Sequence, residues 1–89
     1  MADMAKYCDE IKRFRIWVTG SSTNGVWIEY EDNPSACPGG FYLPHESDNK
    51  DLVMSFLLAE KAQKNKVCMQ VITTTMISNR CKVNYVYNP

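Results

Sequence analysis

Few side chains in this chain of 89 residues are equipped for chemistry: one histidine, four cysteines, two tryptophans and scattered charges. His45, between Pro44 and Glu46, has no nucleophile or second ligand near it in sequence and is read as a solvated loop residue. Cys8, Cys37, Cys68 and Cys81 form no CxxC pair and lie far in sequence from the histidine, which argues against a zinc site. An even cysteine count in a short chain points instead to disulfides formed in an oxidising compartment, with three pairings open. No base, nucleophile or metal set assembles, so neither an enzyme nor a metal or cofactor is expected.

The remaining candidates are binding groups. Trp17 and Trp27, beside Arg15 and Glu29, make an aromatic patch with charged neighbours, suited to stacking on a sugar ring or on a partner protein unless the chain or a neighbouring subunit covers it. Thr74 and Asn79 belong to a hydroxyl- and amide-rich stretch, Thr73–Asn79, that can meet saccharide hydroxyls, or simply be a solvated hairpin. Trp17, Trp27, Arg15, Thr74 and Asn79 are the ligand-binding candidates.

A hairpin positions the tryptophans. Ile11 to Thr19 and Val26 to Glu31 are expected strands, joined by GSSTNG with its Asn24-Gly25 turn dipeptide. Centred on Ser22, the hairpin sets Phe14 opposite Tyr30, Ile16 opposite Ile28 and Val18 opposite Val26 on a core face. The other face pairs Arg13 with Glu31, Arg15 with Glu29 and Trp17 with Trp27. Such charge pairs stabilise sheets and need no catalytic role.

Glu31 to Gly40 reads as a loop, Phe41 to Leu43 as a short strand, and Lys66 to Thr74 and Arg80 to Tyr87 as two more, with TTTMISN able to extend either. Asp48 to Asn65 is the expected helix. Ser47 or Asp48 would cap it, Asp51 favours its first turn, and Asn65 would end it in the left-handed conformation. Its apolar residues fall on two sides, Leu52, Val53, Phe56 and Ala59 against Met54, Leu57, Leu58 and Ala62, more than one small sheet covers. A homo-oligomer is the expected remedy, with Met54, Leu57, Leu58 and Lys61 as interface candidates.

The order β-β-β-α-β-β predicts a mainly β domain with one helix (α+β), an OB-like five-stranded barrel. The alternative is an antiparallel sheet with the helix packed across one face. Residues 1–89 form a single domain, 1–9 as an N-terminal arm and the core over about 10–87. Net charge is zero with pI near 6.5, so no basic footprint for nucleic acid exists. No apolar run reaches the roughly 20 residues of a membrane span. MADMAKYCDE contains no signal-peptide pattern, as would a mature exported chain with a new start Met, and the cysteines make a secreted or periplasmic location the expectation.

Together, the Gly-turn hairpin, Cys37-Pro38-Gly39-Gly40-Phe41-Tyr42-Leu43-Pro44, the helical LLAEKA, Lys66-Val67, Cys81 and Val83-Asn84-Tyr85-Val86-Tyr87 resemble small, mostly secreted bacterial proteins related to the B subunits of subtilase cytotoxin and typhoid toxin. The resemblance spans about residues 13 to 87. It implies a ring, pentameric in that family, whose helices line the centre, whose strands pair between neighbours and which binds cell-surface glycan, with an A subunit or other protein as a further partner. It also implies that Cys37 pairs with Cys81, leaving Cys8 for Cys68. The toxins' glycan-contacting residues have no one-to-one match here, so no glycan site is carried over. A protein-interaction or inhibitor module using the Trp17/Trp27 face, without sugar binding, is the alternative function.

Overall fold

A computed structural model describes residues 3–18 and 24–89. Its elements are β1 (Met4–Ile16), β2 (Asn24–Tyr30), β3 (Gly40–Pro44), α1 (Lys50–Ala62), β4 (Lys66–Ile77) and β5 (Arg80–Tyr87). The strands close into a barrel in the order β1-β2-β3-β5-β4, and β4 returns to β1. β3 and β5 run parallel, while the other described pairings are antiparallel. The chain is thus mainly β with one helix, and its sheet is closed rather than open.

The arm expected over 1–9 is strand from Met4 onward: Met4 to Glu10 pair with Ile72 to Lys66 of β4. Its alternation is faint in sequence because the inward positions are Ala5, Tyr7 and Asp9, of which Tyr7 packs on the core. β1 then bends at an irregularity between Ile11 and Arg13 and passes to β2.

β1 and β2 pair two residues away from the expected register. Arg13 faces Glu29, Phe14 faces Ile28, Arg15 faces Trp27 and Ile16 faces Val26. A two-residue shift leaves every side chain on its face, so the apolar pattern permits either register. Gly25 packs so closely on β3 that an added Cβ would meet the Leu43 carbonyl oxygen at 2.9 Å, and the Trp17 amide donates to the Gly25 carbonyl at 3.0 Å. Ile16 and Val18, expected in the core, are 56% and 85% exposed. The expected strand end at Thr19 and the turn centre at Ser22 lie outside the described residues.

The core joins Ile28, Phe41, Leu57, Val67, Met69 and Val71, all fully buried, around Tyr30. The Tyr30 hydroxyl donates to the carbonyls of Tyr7 at 2.9 Å and Val67 at 2.8 Å, tying β2 to both β1 and β4. Burial, reinforced by Asp9 and Tyr87, pushes the Tyr30 phenol far above its ordinary range, and burial pushes Tyr42 up as well. In the unfolded chain these phenols lose their protons near pH 10, while the folded chain holds them. Stability is therefore expected to stay level below about pH 9 and to fall as pH rises past about 10. Tyr30→Phe should flatten that fall and cost about 1–2 kcal/mol at neutral pH, read from denaturant midpoints across the range.

α1 is shorter than Asp48 to Asn65. Asn49, rather than Ser47 or Asp48, occupies the N-cap position and makes no side-chain bond there, and Ser47 Oγ donates to the Pro44 carbonyl at 2.8 Å. Lys64, not Asn65, takes the left-handed conformation, at φ 57°. Leu57 is fully buried, with Val53, Met54 and Phe56 packed against the core beside it. The opposite stripe remains open: Leu52 is 72% and Leu58 50% exposed, with Ser55, Ala59 and Ala62 between them. Of the interface candidates only Leu58 lies on that stripe. Leu57 belongs to the chain's own core, and Met54 and Lys61 are half-buried on the core side.

Both disulfides form, Cys8–Cys68 and Cys37–Cys81, as the resemblance implies. The first joins direct neighbours across β1 and β4; the second anchors the loop before β3 to β5. No described helix is long and apolar enough to cross a membrane.

Candidate binding face on β1, β2, β3 and β5

On the outer side of the sheet, Arg15, Trp27, Tyr42 and Lys82 lie side by side on β1, β2, β3 and β5, although Tyr42 itself is buried. Alternation along each strand places them outward because Ile28, Phe41 and Cys81, next to them in sequence, point into the core. Trp17 leans diagonally onto Trp27 from the β1 side, with ring centroids 4.4 Å apart and planes 57° to each other. The two-residue register shift makes this contact diagonal rather than directly cross-strand, and it makes Arg15 the partner of Trp27.

Arg80 approaches Trp27 from the β5 side. Gly40 is its direct partner on β3, so no side chain intervenes, and the guanidinium carbon lies 3.5 Å from the Trp27 ring centroid. Arg15 adds a second cation, 5.4 Å from the Trp27 centroid and 5.8 Å from that of Trp17. Stacking of this kind on a partly desolvated ring contributes about 1–2 kcal/mol. The Arg80 Nη1 donates to the Ser78 carbonyl at 3.0 Å, linking the face to the β4–β5 turn. Burial pulls the Arg80 guanidinium below its ordinary value, which Glu29 counters and Arg15 reinforces; it remains charged at neutral pH.

Arg13 and Glu29 form a loose ion pair at 3.7 Å, with the Arg13 side chain 58% exposed, so it adds under about 1 kcal/mol. The expected Arg13–Glu31 and Arg15–Glu29 pairings are replaced through the register shift. Arg13, Arg15, Arg80 and Lys82 outnumber Glu29 here, so the face is cationic in a chain of zero net charge. Two donors on it, Trp27 Nε1 and Arg80 Nε, are buried without a hydrogen-bond partner. The arrangement offers aromatic rings and the exposed guanidinium of Arg15 to a ligand rich in oxygen acceptors.

The structure thus unites Trp17, Trp27 and Arg15, and brings Asn79 close. Asn79 and Ser78 have positive φ of 64° and 52° in the β4–β5 turn, and the Asn79 carbonyl accepts from the Gly39 amide. Thr74 is exposed on β4, outside the row of Arg15, Trp27, Tyr42 and Lys82. Arg80, Tyr42 and Lys82 are absent from the sequence-based candidates; their signal lies in the barrel order, which puts β5 beside β3. His45 is exposed in the turn before α1, where its carbonyl accepts from Lys50 Nζ. In comparisons with family models, curated proteins and solved structures, nothing matches this chain.

Proposed function

We propose that this protein is a non-enzymatic binding module, an OB-like, exported, ring-forming B-subunit-like protein that recognises cell-surface glycan through the outer face carrying Trp17 and Trp27. The observation that carries the reading is the Trp17–Trp27 pair framed by Arg15 and Arg80, because an aromatic platform with adjacent donors suits the apolar face and the hydroxyl rim of a sugar ring. Ring formation, five copies in the resembled family, is supported by the exposed Leu52 and Leu58 with Ala59 and Ala62 beside them, since large apolar side chains left open on a helix of a small chain call for a cover. The two disulfides fit an oxidising location outside the cytoplasm.

A glycan array tests the reading. The folded protein should bind a subset of glycans, and Trp17→Ala should weaken that binding at least about tenfold, the loss of one stacking platform of about 1.5 kcal/mol, with its melting temperature changed little. A correctly folded oligomer that binds no glycan would overturn it. If the same protein instead captured one partner protein in a complex that Trp17→Ala abolishes, the face would belong to a protein-interaction module.

A further inference from the structure

The two disulfides stand in opposite surroundings. Cys37 and Cys81 are both fully buried, whereas the other bond joins the exposed Cys8 to Cys68, which is 1% exposed. The strand pairing explains the asymmetry. Cys8 and Cys68 are direct partners across β1 and β4, and their neighbours Tyr7, Val67 and Met69 pack in the core, so alternation turns the bond to the outer side of the sheet. On its other flank Cys68 has Tyr87 of β5 as its partner, with Tyr85 packed on that ring at 5.8 Å between centroids. Cys8 has β4 alone as a paired neighbour, because β1 meets β2 only from Ile11 onward.

A disulfide opens when a thiolate attacks one sulfur and the other leaves, so access to each sulfur decides which is attacked. Approach to Cys68 comes from the β5 side, where Tyr87 stands. Approach to Cys8 comes from the free flank of β1. The local charge favours an incoming anion: Lys6 and Lys66 lie on the same outer rows as the two cysteines and are exposed, with Glu10 the one carboxylate among them.

We infer that Cys8–Cys68 is a thiol–disulfide exchange site, which a low-molecular-weight thiol opens by attacking Cys8 while Cys37–Cys81 stays closed. The inference rests on neither the glycan nor the ring reading. The thiolate sulfur bonds to Cys8 Sγ as the Sγ–Sγ bond breaks, and the electron pair leaves on Cys68 Sγ, which takes a proton from water. A second thiolate then attacks the sulfur of the first, so that Cys8 leaves as a thiolate and is protonated in turn. Two thiols are oxidised to their disulfide and the protein bond is reduced. What opens is the covalent tie between β4 and the start of β1, a stretch whose inward Ala5 and Asp9 add little to the core.

Reduced glutathione is the probe. The oxidised, folded protein is mixed with less than one equivalent of it, free thiols are trapped by alkylation at successive times, and the peptides are mapped by mass. Early samples should carry glutathione on Cys8 and the alkyl group on Cys68, with the Cys37–Cys81 bond intact. Cys8–Cys68 should open at least about 100-fold faster than Cys37–Cys81, which waits for the barrel to open. Single variants give a second reading: with glutathione disulfide, the Cys8 thiol of Cys68→Ser should react at least about tenfold faster than the Cys68 thiol of Cys8→Ser. Glutathione found on Cys68, two bonds opening at one rate, or equal rates in the two variants would each overturn the inference. Should either variant fail to fold, the wild-type map decides.

Discussion

Replacing Cys37 and Cys81 together by alanine is expected to remove about 4 kcal/mol of stability, as the chain-entropy model gives for a loop of this length. The bond closes 44 residues of chain, and both cysteines are fully buried. It ties the loop Glu31–Gly39 to the first inward position of β5, beside the short parallel pairing of Gly40 to Tyr42 with Arg80 to Lys82. A chain of this size has little stability to spare, so the double variant should be largely unfolded at 37 °C. Denaturant unfolding followed by tryptophan fluorescence measures the loss, and a loss below about 1 kcal/mol would show that the barrel closes without the bond. The Cys8–Cys68 bond spans 60 residues, yet Cys8 is exposed, so its removal should cost chain entropy with little added packing loss.

Gly40→Ala is the second large expected effect. Gly40 has φ +102°, a conformation that side-chain-bearing residues rarely adopt, and an added Cβ would stand 2.5 Å from the Ile28 carbonyl oxygen. The backbone strain alone costs about 1–3 kcal/mol, and the clash is with backbone of β2, which is held between β1 and β3. A total near 3 kcal/mol or more is expected. The site should suffer with the fold, because the bare Gly40 opposite Arg80 lets the guanidinium reach Trp27. Fluorescence of Trp27 and the unfolding midpoint should therefore change together in this variant. A midpoint shift without a tryptophan change would separate the glycine from the stack.

The element order was legible because its signals are local: the periodicity of each strand, the helical run and the Pro/Gly-rich loop at Glu31–Gly40. Register was not. Phe14 and Ile16 remain on one face whether they meet Tyr30 and Ile28 or Ile28 and Val26, so alternation does not distinguish the two registers. The start of β1 was hidden for a related reason: Ala5 and Asp9 give almost no alternation, and that stretch is held by β4 and by Cys8–Cys68. The Trp17–Trp27 pair was visible as composition on a hairpin face. Arg80 was not, since nothing local to it announces that parallel pairing brings it over Trp27. The helix's two apolar sides were legible too, but which residues belonged to the core depended on how α1 meets β1 and β4, and Met54 and Leu57 turned inward.

The proposed assembly, which rests on the open Leu52–Leu58–Ala62 stripe, is addressed directly by a mass measurement. Native mass spectrometry or sedimentation equilibrium under non-reducing conditions should give a closed multiple of the 10.2 kDa chain, five copies on the resembled pattern. Reduction of both disulfides should shift that species toward monomer as the barrel loosens. A fully oxidised, folded chain that remains at 10.2 kDa at micromolar concentration would contradict the ring.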